Sequence, residues 1–179
     1  FDEAKRLLEP LIARDGASKS NAEQTNHAKN LLLAALAERG AKNYTQASEL
    51  LNAITVGVLA PRLQEQVIVA KVETFNAIGD FALAAKAAAI YEKSFSEGSL
   101  LGTVRAQLIR ALLGNGQLEE AAARFAQLRA MPADSHQLAF AARHLGEAAY
   151  GLKKQSVAKE AFLVLRDVQE NQPDLYRAL

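Results

Sequence analysis

Three histidines, His27, His136 and His144, are the first residues to question for chemistry. A helix brings metal ligands together at spacings of three or four, and a site needs three or four of them. His136 and His144 stand eight apart, too far along a helix to share one metal easily. His144 and Glu147 are three apart and could face one another, yet two ligands do not close a site. The histidines are therefore expected to be solvated or capping. The carboxylate pair Glu119-Glu120 falls at an expected helix start, where negative charge complements the helix dipole. The run Leu113-Gly114-Asn115-Gly116-Gln117 lacks the Lys-Ser/Thr ending and the preceding strand of a phosphate loop, so it reads as a turn. Cysteine is absent and no serine sits in a nucleophile elbow. With no set of groups for general acid–base work, the expectation is a non-enzymatic chain with no metal and no cofactor.

The elements that carry these residues follow from composition. The chain has 179 residues, 21 Lys+Arg against 20 Asp+Glu, and a formal charge of +1. That balance argues against a basic nucleic-acid surface and against an acidic tail. Lack of cysteine excludes disulfides and iron–sulfur clusters but leaves cytoplasm and periplasm equally open. About a fifth of the residues are Ala, with no Trp, 10 Gly and 4 Pro, which favours helix over strand. Apolar runs such as Leu31–Ala37 fall far short of the roughly 20 residues of a membrane span. No signal peptide is visible at the start. Phe1 is not an initiator residue, so the chain is expected to begin inside a larger protein or after processing.

A period organises the whole sequence. Ala47, Ala84, Ala121 and Ala158 recur every 37 residues. Three residues before each stand Tyr44, Phe81, Leu118 and Gln155; four after come Leu51, Ala88, Phe125 and Phe162; seven after come Ile54, Tyr91, Leu128 and Leu165. Only Gln155 breaks the apolar pattern, and these offsets trace one face of an α-helix. A first helix precedes each of these, at 28–38, 64–78, 103–113 and 138–152, followed by a short turn. The turns contain Gly40, Asn43, Gly79, Gly114, Asn115 and Gly116, residue types suited to left-handed backbone. Each unit is thus expected to be helix, turn, helix, with Phe81, Phe125 and Phe162 filling gaps between pairs.

The resulting organisation is a single array over 1–179. Residues 1–14 reproduce the second-helix pattern through Phe1, Ala4, Leu8 and Leu11, with a kink expected at Pro10. Residues 15–27 are polar and are expected to be a loop or a frayed helix start. Full repeats are expected at 28–60, 61–97, 98–134 and 135–172, and 173–179 as the start of a further helix. Both ends look like cuts through a longer array.

This unit resembles the tetratricopeptide repeat. The third repeat carries the resemblance best, in Leu108, Gly116, Leu118, Ala121, Phe125 and Pro132. The fourth has Leu145-Gly146, Ala158, Phe162 and Pro173; the second has Gly79, Phe81, Ala84 and Tyr91; the first has Tyr44, Ala47, Leu51 and Pro61, with Lys42 where a turn Gly is expected. The family's unit is 34 residues rather than 37, which bears on the superhelical pitch. The resemblance implies an all-α, right-handed α-solenoid of antiparallel helix pairs. The pentatricopeptide repeat, which reads single-stranded RNA, is the sibling to weigh. A charge of +1 and no regular basic position argue against it.

The resemblance also implies a non-catalytic scaffold that binds a partner peptide or helix in its concave groove, lined by the first helices. The residues expected there are Glu73, Asn76, Gln107, Arg110, Arg143, Glu147 and Tyr150. Val69 and Ala106 stand where a chaperone-binding member would carry a carboxylate-clamp Lys, so docking of that motif is not expected. The partner is expected to be another protein or peptide, with no nucleic acid and no direct membrane insertion. Two further readings stay open. One is a regulatory or targeting arm of a larger enzyme or of a secretion or assembly machine. The other is a homo-oligomer formed through an apolar array end around Phe1, Leu8 and Leu11.

Overall fold

The computed structural model describes residues 2–15, 20–131 and 134–171. Phe1, Pro132, Pro173 and the further helix start expected at 173–179 lie outside the described residues. Among the described residues there are nine α-helices, one 3-10 turn and no strand. The helices are α1 (Asp2–Asp15), α2 (Asn21–Gly40), α3 (Tyr44–Asn52), α4 (Pro61–Ile78), α5 (Phe81–Ser94), α6 (Leu101–Gly114), α7 (Leu118–Arg129), α8 (Ser135–Gly151) and α9 (Gln155–Asn171). The chain divides into two compact units, 1–80 and 81–179. In the first, α2 packs on α1, α3 and α4, and α3 packs on α4. In the second, α6 packs on α5, α7 and α8, while α8 also packs on α7 and α9.

The first helix of the first expected repeat begins earlier than its apolar period implies. Residues 21–27, expected as a polar loop or frayed start, belong to α2. The cause is local. Ser20 caps the helix by accepting from the Glu23 backbone N–H at 3.3 Å, and the Glu23 carboxylate accepts from the Ser20 N–H at 3.2 Å. This reciprocal box satisfies two donors that would otherwise lack partners at the helix start. Asp134 does a similar task for α8, accepting from the His136 N–H at 2.9 Å. Pro61 opens α4 at a position where its missing N–H costs nothing. The α1 helix continues through Pro10.

The turns repeat more strictly than the residue types do. Lys42, Gly79, Gly116 and Lys153 all have positive φ, at 64°, 82°, 75° and 59°. They stand 37 residues apart each time. Glycine adopts this conformation freely; for a lysine the Cβ makes it unfavourable by roughly 1–2 kcal/mol. Within the units, Lys42, Gly116 and Lys153 let the chain turn from one helix into the next, which packs on it.

Burial follows the helical register. Ala47, Ala84 and Ala121 are fully buried and Ala158 nearly so. Leu51, Ala88, Phe125, Ile54, Tyr91 and Leu128 are buried with them. In the first unit these positions join a core of Leu31, Leu32, Ala35, Leu59, Val67 and Ala70. In the second, Tyr91 also ties two elements together, its hydroxyl accepting from the Leu100 N–H at 3.2 Å. Phe162 departs from expectation. It is 38% exposed rather than enclosed between helix pairs. Its ring lies on the α8 backbone at Gly146, where a Cβ would come within 2.6 Å of it. Phe81 rests against Gly114 in the same manner.

Candidate partner-binding face on α6 and α8

The second unit brings α6 and α8 side by side, and their N-terminal halves are pinned by a small set of atoms. Gly102 leaves room for Gln137, whose Oε1 occupies the space that a Cβ on that glycine would take. The Gln137 amide then donates to Thr103 Oγ1 at 2.9 Å. Close approach and a directed hydrogen bond together fix how the two helices meet.

Further along this pair lie five of the residues expected from sequence. Gln107 and Arg110 stand three apart on α6 and are half-buried. Arg143, Glu147 and Tyr150 stand at i, i+4 and i+7 on α8, so they share one stripe. All three are exposed, Tyr150 by 73%. Sequence reasoning missed two members of the stripe, Phe140 and His144. Their rings meet edge to face with centroids 4.5 Å apart. The signal was their i, i+4 spacing in phase with Arg143 and Glu147, which a search for metal ligands passes over.

Charge on this face is poorly matched. Arg110 and Arg143 form no ion pair or hydrogen bond among the described residues. Other arginines are matched. Arg39 bonds Glu73, Arg129 Nη1 donates to Glu160 at 2.7 Å, and Glu92 accepts from both Arg105 Nε at 3.0 Å and Arg124 Nη1 at 3.3 Å. Burial holds the His144 imidazole below its ordinary pKa. Arg110 and Arg143 push the same way and Glu147 opposes them. Two cations and a partly buried imidazole therefore share a surface with one carboxylate.

Glu73 and Asn76 fall in the first unit. Glu73 is held by Arg39, and Asn76 is only 1% exposed, so its side chain is not presented to solvent. On the second unit, an open cleft of about 630 Å³ is lined by Ser96, Glu97, Ser99, Arg105, Met131 and Asp134. The Arg105 guanidinium there is already engaged by Glu92 and by Met131 Sδ at 3.0 Å. Among the described residues no three His, Asp or Glu side chains cluster as a metal site, and no helix is long and apolar enough to cross a membrane.

No family model and no curated protein sequence matches the chain. Solved structures do. Two crystal structures of nearly identical TPR-like repeats from Podosopora anserina, described as those of a kinesin light chain, superpose with TM-scores of 0.73 and 0.70. The first covers 97% of this chain and 88% of its own; the second covers 96% and 88%. Each is 22% identical to this chain. The fold is TPR-like. In TPR-like terms, α6 and α8 are first helices of successive pairs, and α7 and α9 are the second helices. Gly116 and Lys153 are the turns within these pairs, and Ala121 and Ala158 are the small residues of the second helices.

Proposed function

We propose that this chain is a non-catalytic protein-interaction scaffold that holds a partner peptide or helix against the face of α6 and α8. One observation carries the reading: Arg110 and Arg143 form no ion pair or hydrogen bond among the described residues, on a surface that also offers Phe140 and Tyr150. Arginine and tyrosine are frequent interface anchors, because they combine apolar area with directed hydrogen bonds. Arg6 and Arg62 likewise form no ion pair or hydrogen bond among the described residues; what sets Arg110 and Arg143 apart is that they lie on adjacent helices beside Phe140 and Tyr150. Gln107 and Glu147 border the same surface and supply polar contacts at its rim. Glu73 is a second place where a partner would make contact, by competing with Arg39. Helix-in-groove and extended-peptide docking both suit a surface of two adjacent helices.

The test is affinity capture from a lysate of the source cell, followed by mass spectrometry. Wild type is compared with a variant carrying Arg110→Glu, Arg143→Glu and Tyr150→Ala, whose folding is checked by circular dichroism. A protein captured by wild type and lost with the folded variant is the expected result. Capture that survives all three substitutions moves binding off this face. Capture by neither would favour an arm of a larger assembly with little binding of its own.

A further inference from the structure

We propose that the partner helix for this face is α8 of a second copy of the chain. The two helices pack antiparallel about a twofold axis that sets Arg143 against Glu147 and Phe140 against Tyr150. The inference rests on the reading of this face as a site for a partner helix, and it names the partner.

The argument begins with register. Phe140, Arg143, Glu147 and Tyr150 stand at i, i+3, i+7 and i+10 on α8. Alternating steps of three and four are the spacing of a helix–helix seam, so the four residues form one line along the helix. Arg143, Glu147 and Tyr150 are exposed, and Phe140 is half-buried with its ring edge-on to His144. Tyr150, at 73%, is more exposed than any other large apolar side chain among the described residues. Neither Arg143 nor Glu147 forms an ion pair or hydrogen bond among the described residues.

Symmetry then selects the occupant. In a twofold pair of identical helices, wherever residue i meets residue j, j also meets i. An axis at the level of Leu145 brings Arg143 to Glu147 of the second copy, and Glu147 to Arg143 of the second copy. The same axis brings Phe140 to Tyr150 at each end of the seam. Two opposite-charge contacts at the centre are thus bracketed by two aromatic contacts, and every member of the stripe has a partner. A parallel pair in register would set Arg143 on Arg143 and Glu147 on Glu147, which like-charge repulsion disfavours.

Helices in the same phase do not share this property. One period earlier, on α6, the central pair would be Arg110 with Ala106, and Ala106 is buried. On α4 it would be Glu73 with Val69, and Asn76 at the end of that stripe is buried. On α2 the ends would be Lys29 and Arg39, which repel. The 17-residue α8 is roughly 25 Å long, so the seam is short and the dimer should be weak, dissociating at micromolar concentrations.

The experiment is sedimentation equilibrium of the 179-residue chain from about 1 to 500 μM, a range in which a weak dimer dissociates by mass action. A reversible monomer–dimer equilibrium is expected. Arg143→Glu and Glu147→Arg, each shown to be folded by circular dichroism, should each weaken the dimer at least about tenfold, because like charges then meet at its centre. Mixing these two variants in equal amounts should restore a dimer made of one copy of each. A chain carrying both substitutions should self-associate as wild type does. A wild type that stays monomeric at every concentration would overturn this inference and leave the scaffold reading, which lysate capture tests, intact. A dimer indifferent to both single substitutions would remove α8 from the interface. Dimers lost in both variants but not regained on mixing would overturn the antiparallel pairing.

Discussion

Helices α2 and α8 stand three repeat lengths apart in the sequence; they agree at one set of buried positions and differ elsewhere, with buried Leu32 of α2 corresponding to exposed Arg143 of α8. Inward positions correspond closely. Ala28 corresponds to Ala139, Leu31 to Ala142, Ala34 to Leu145, and Ala35 to Gly146, and all eight are buried. Outward positions diverge. Leu33 and Leu36 of α2 are 54% and 37% exposed, while their counterparts on α8 are His144 and Glu147. Burial explains both halves of the comparison. An inward position must be apolar and small enough for a neighbouring helix to approach, because close packing punishes both voids and excess volume. An outward position meets no such demand. The 37-residue period is therefore the signature of the core.

The largest effects should come from testing equivalence within the core. Phe125 and Phe162 are one period apart, yet one is 3% and the other 38% exposed. Phe125→Ala should cost about 3–5 kcal/mol by leaving a cavity. Phe162→Ala should cost about 1–2 kcal/mol, because much of its ring is already in contact with water. Urea unfolding followed by circular dichroism separates the two, and equal costs would break the claim that packing around them differs. Ala121→Phe comes next. It adds a ring where no volume is free and should cost about 1–3 kcal/mol. A variant as stable as wild type would remove Ala121 from the close-packed register.

How much of this was legible in the sequence follows the same division. The all-α class, the helix pairs and the buried alanines are each enforced four times over, so the pattern survives local noise. The start of α2 was not legible from periodicity, because Asn21–His27 has no apolar stripe and owes its helix to the Ser20–Glu23 box. That box was present in the residues and is readable as such. The burial of Asn76 was not legible, since its type is usually exposed and only packing decides otherwise. Phe140 and His144 illustrate a third kind of miss. Their spacing was visible, but the influence of Arg110 on His144 requires knowing that α6 and α8 are adjacent. Arg110, Arg143 and Tyr150 are singled out in the sequence by residue type and helix position; that the two arginines form no ion pair or hydrogen bond among the described residues is a fact of three dimensions alone.

The turns sharpen the comparison at a smaller scale. All four use left-handed backbone, but two place lysine there. Gly79→Ala and Gly116→Ala should each cost about 1–2 kcal/mol, because a Cβ is introduced at positive φ. Lys42→Gly and Lys153→Gly should be neutral or should stabilise by up to about 1 kcal/mol, as relief of strain is partly offset by a more flexible unfolded chain. Thermal midpoints of the four variants test this. A loss of stability from both lysine replacements would mean that the lysine side chains contribute something beyond backbone conformation.

Outward substitutions should have the smallest effect on stability and the clearest effect on its pH dependence. Leu33→Gln and Leu36→Gln should change stability by no more than about 0.5 kcal/mol, as expected where little packs on the side chain. His144→Gln should behave similarly at pH 8. Acid should separate it from wild type. The folded imidazole binds its proton less readily than the unfolded one, since burial and Arg110 oppose the charged ring. The unfolded chain therefore holds more protons in the window between the two values. This contribution is complete above the unfolded pKa of about 6.5 and is lost as pH falls through the lower folded value. Wild type should lose thermal stability across that window more steeply than His144→Gln. Parallel curves would show that His144 is not held neutral, and would place the charge pattern of α6 and α8 on the same footing as the solvated outward face of α2.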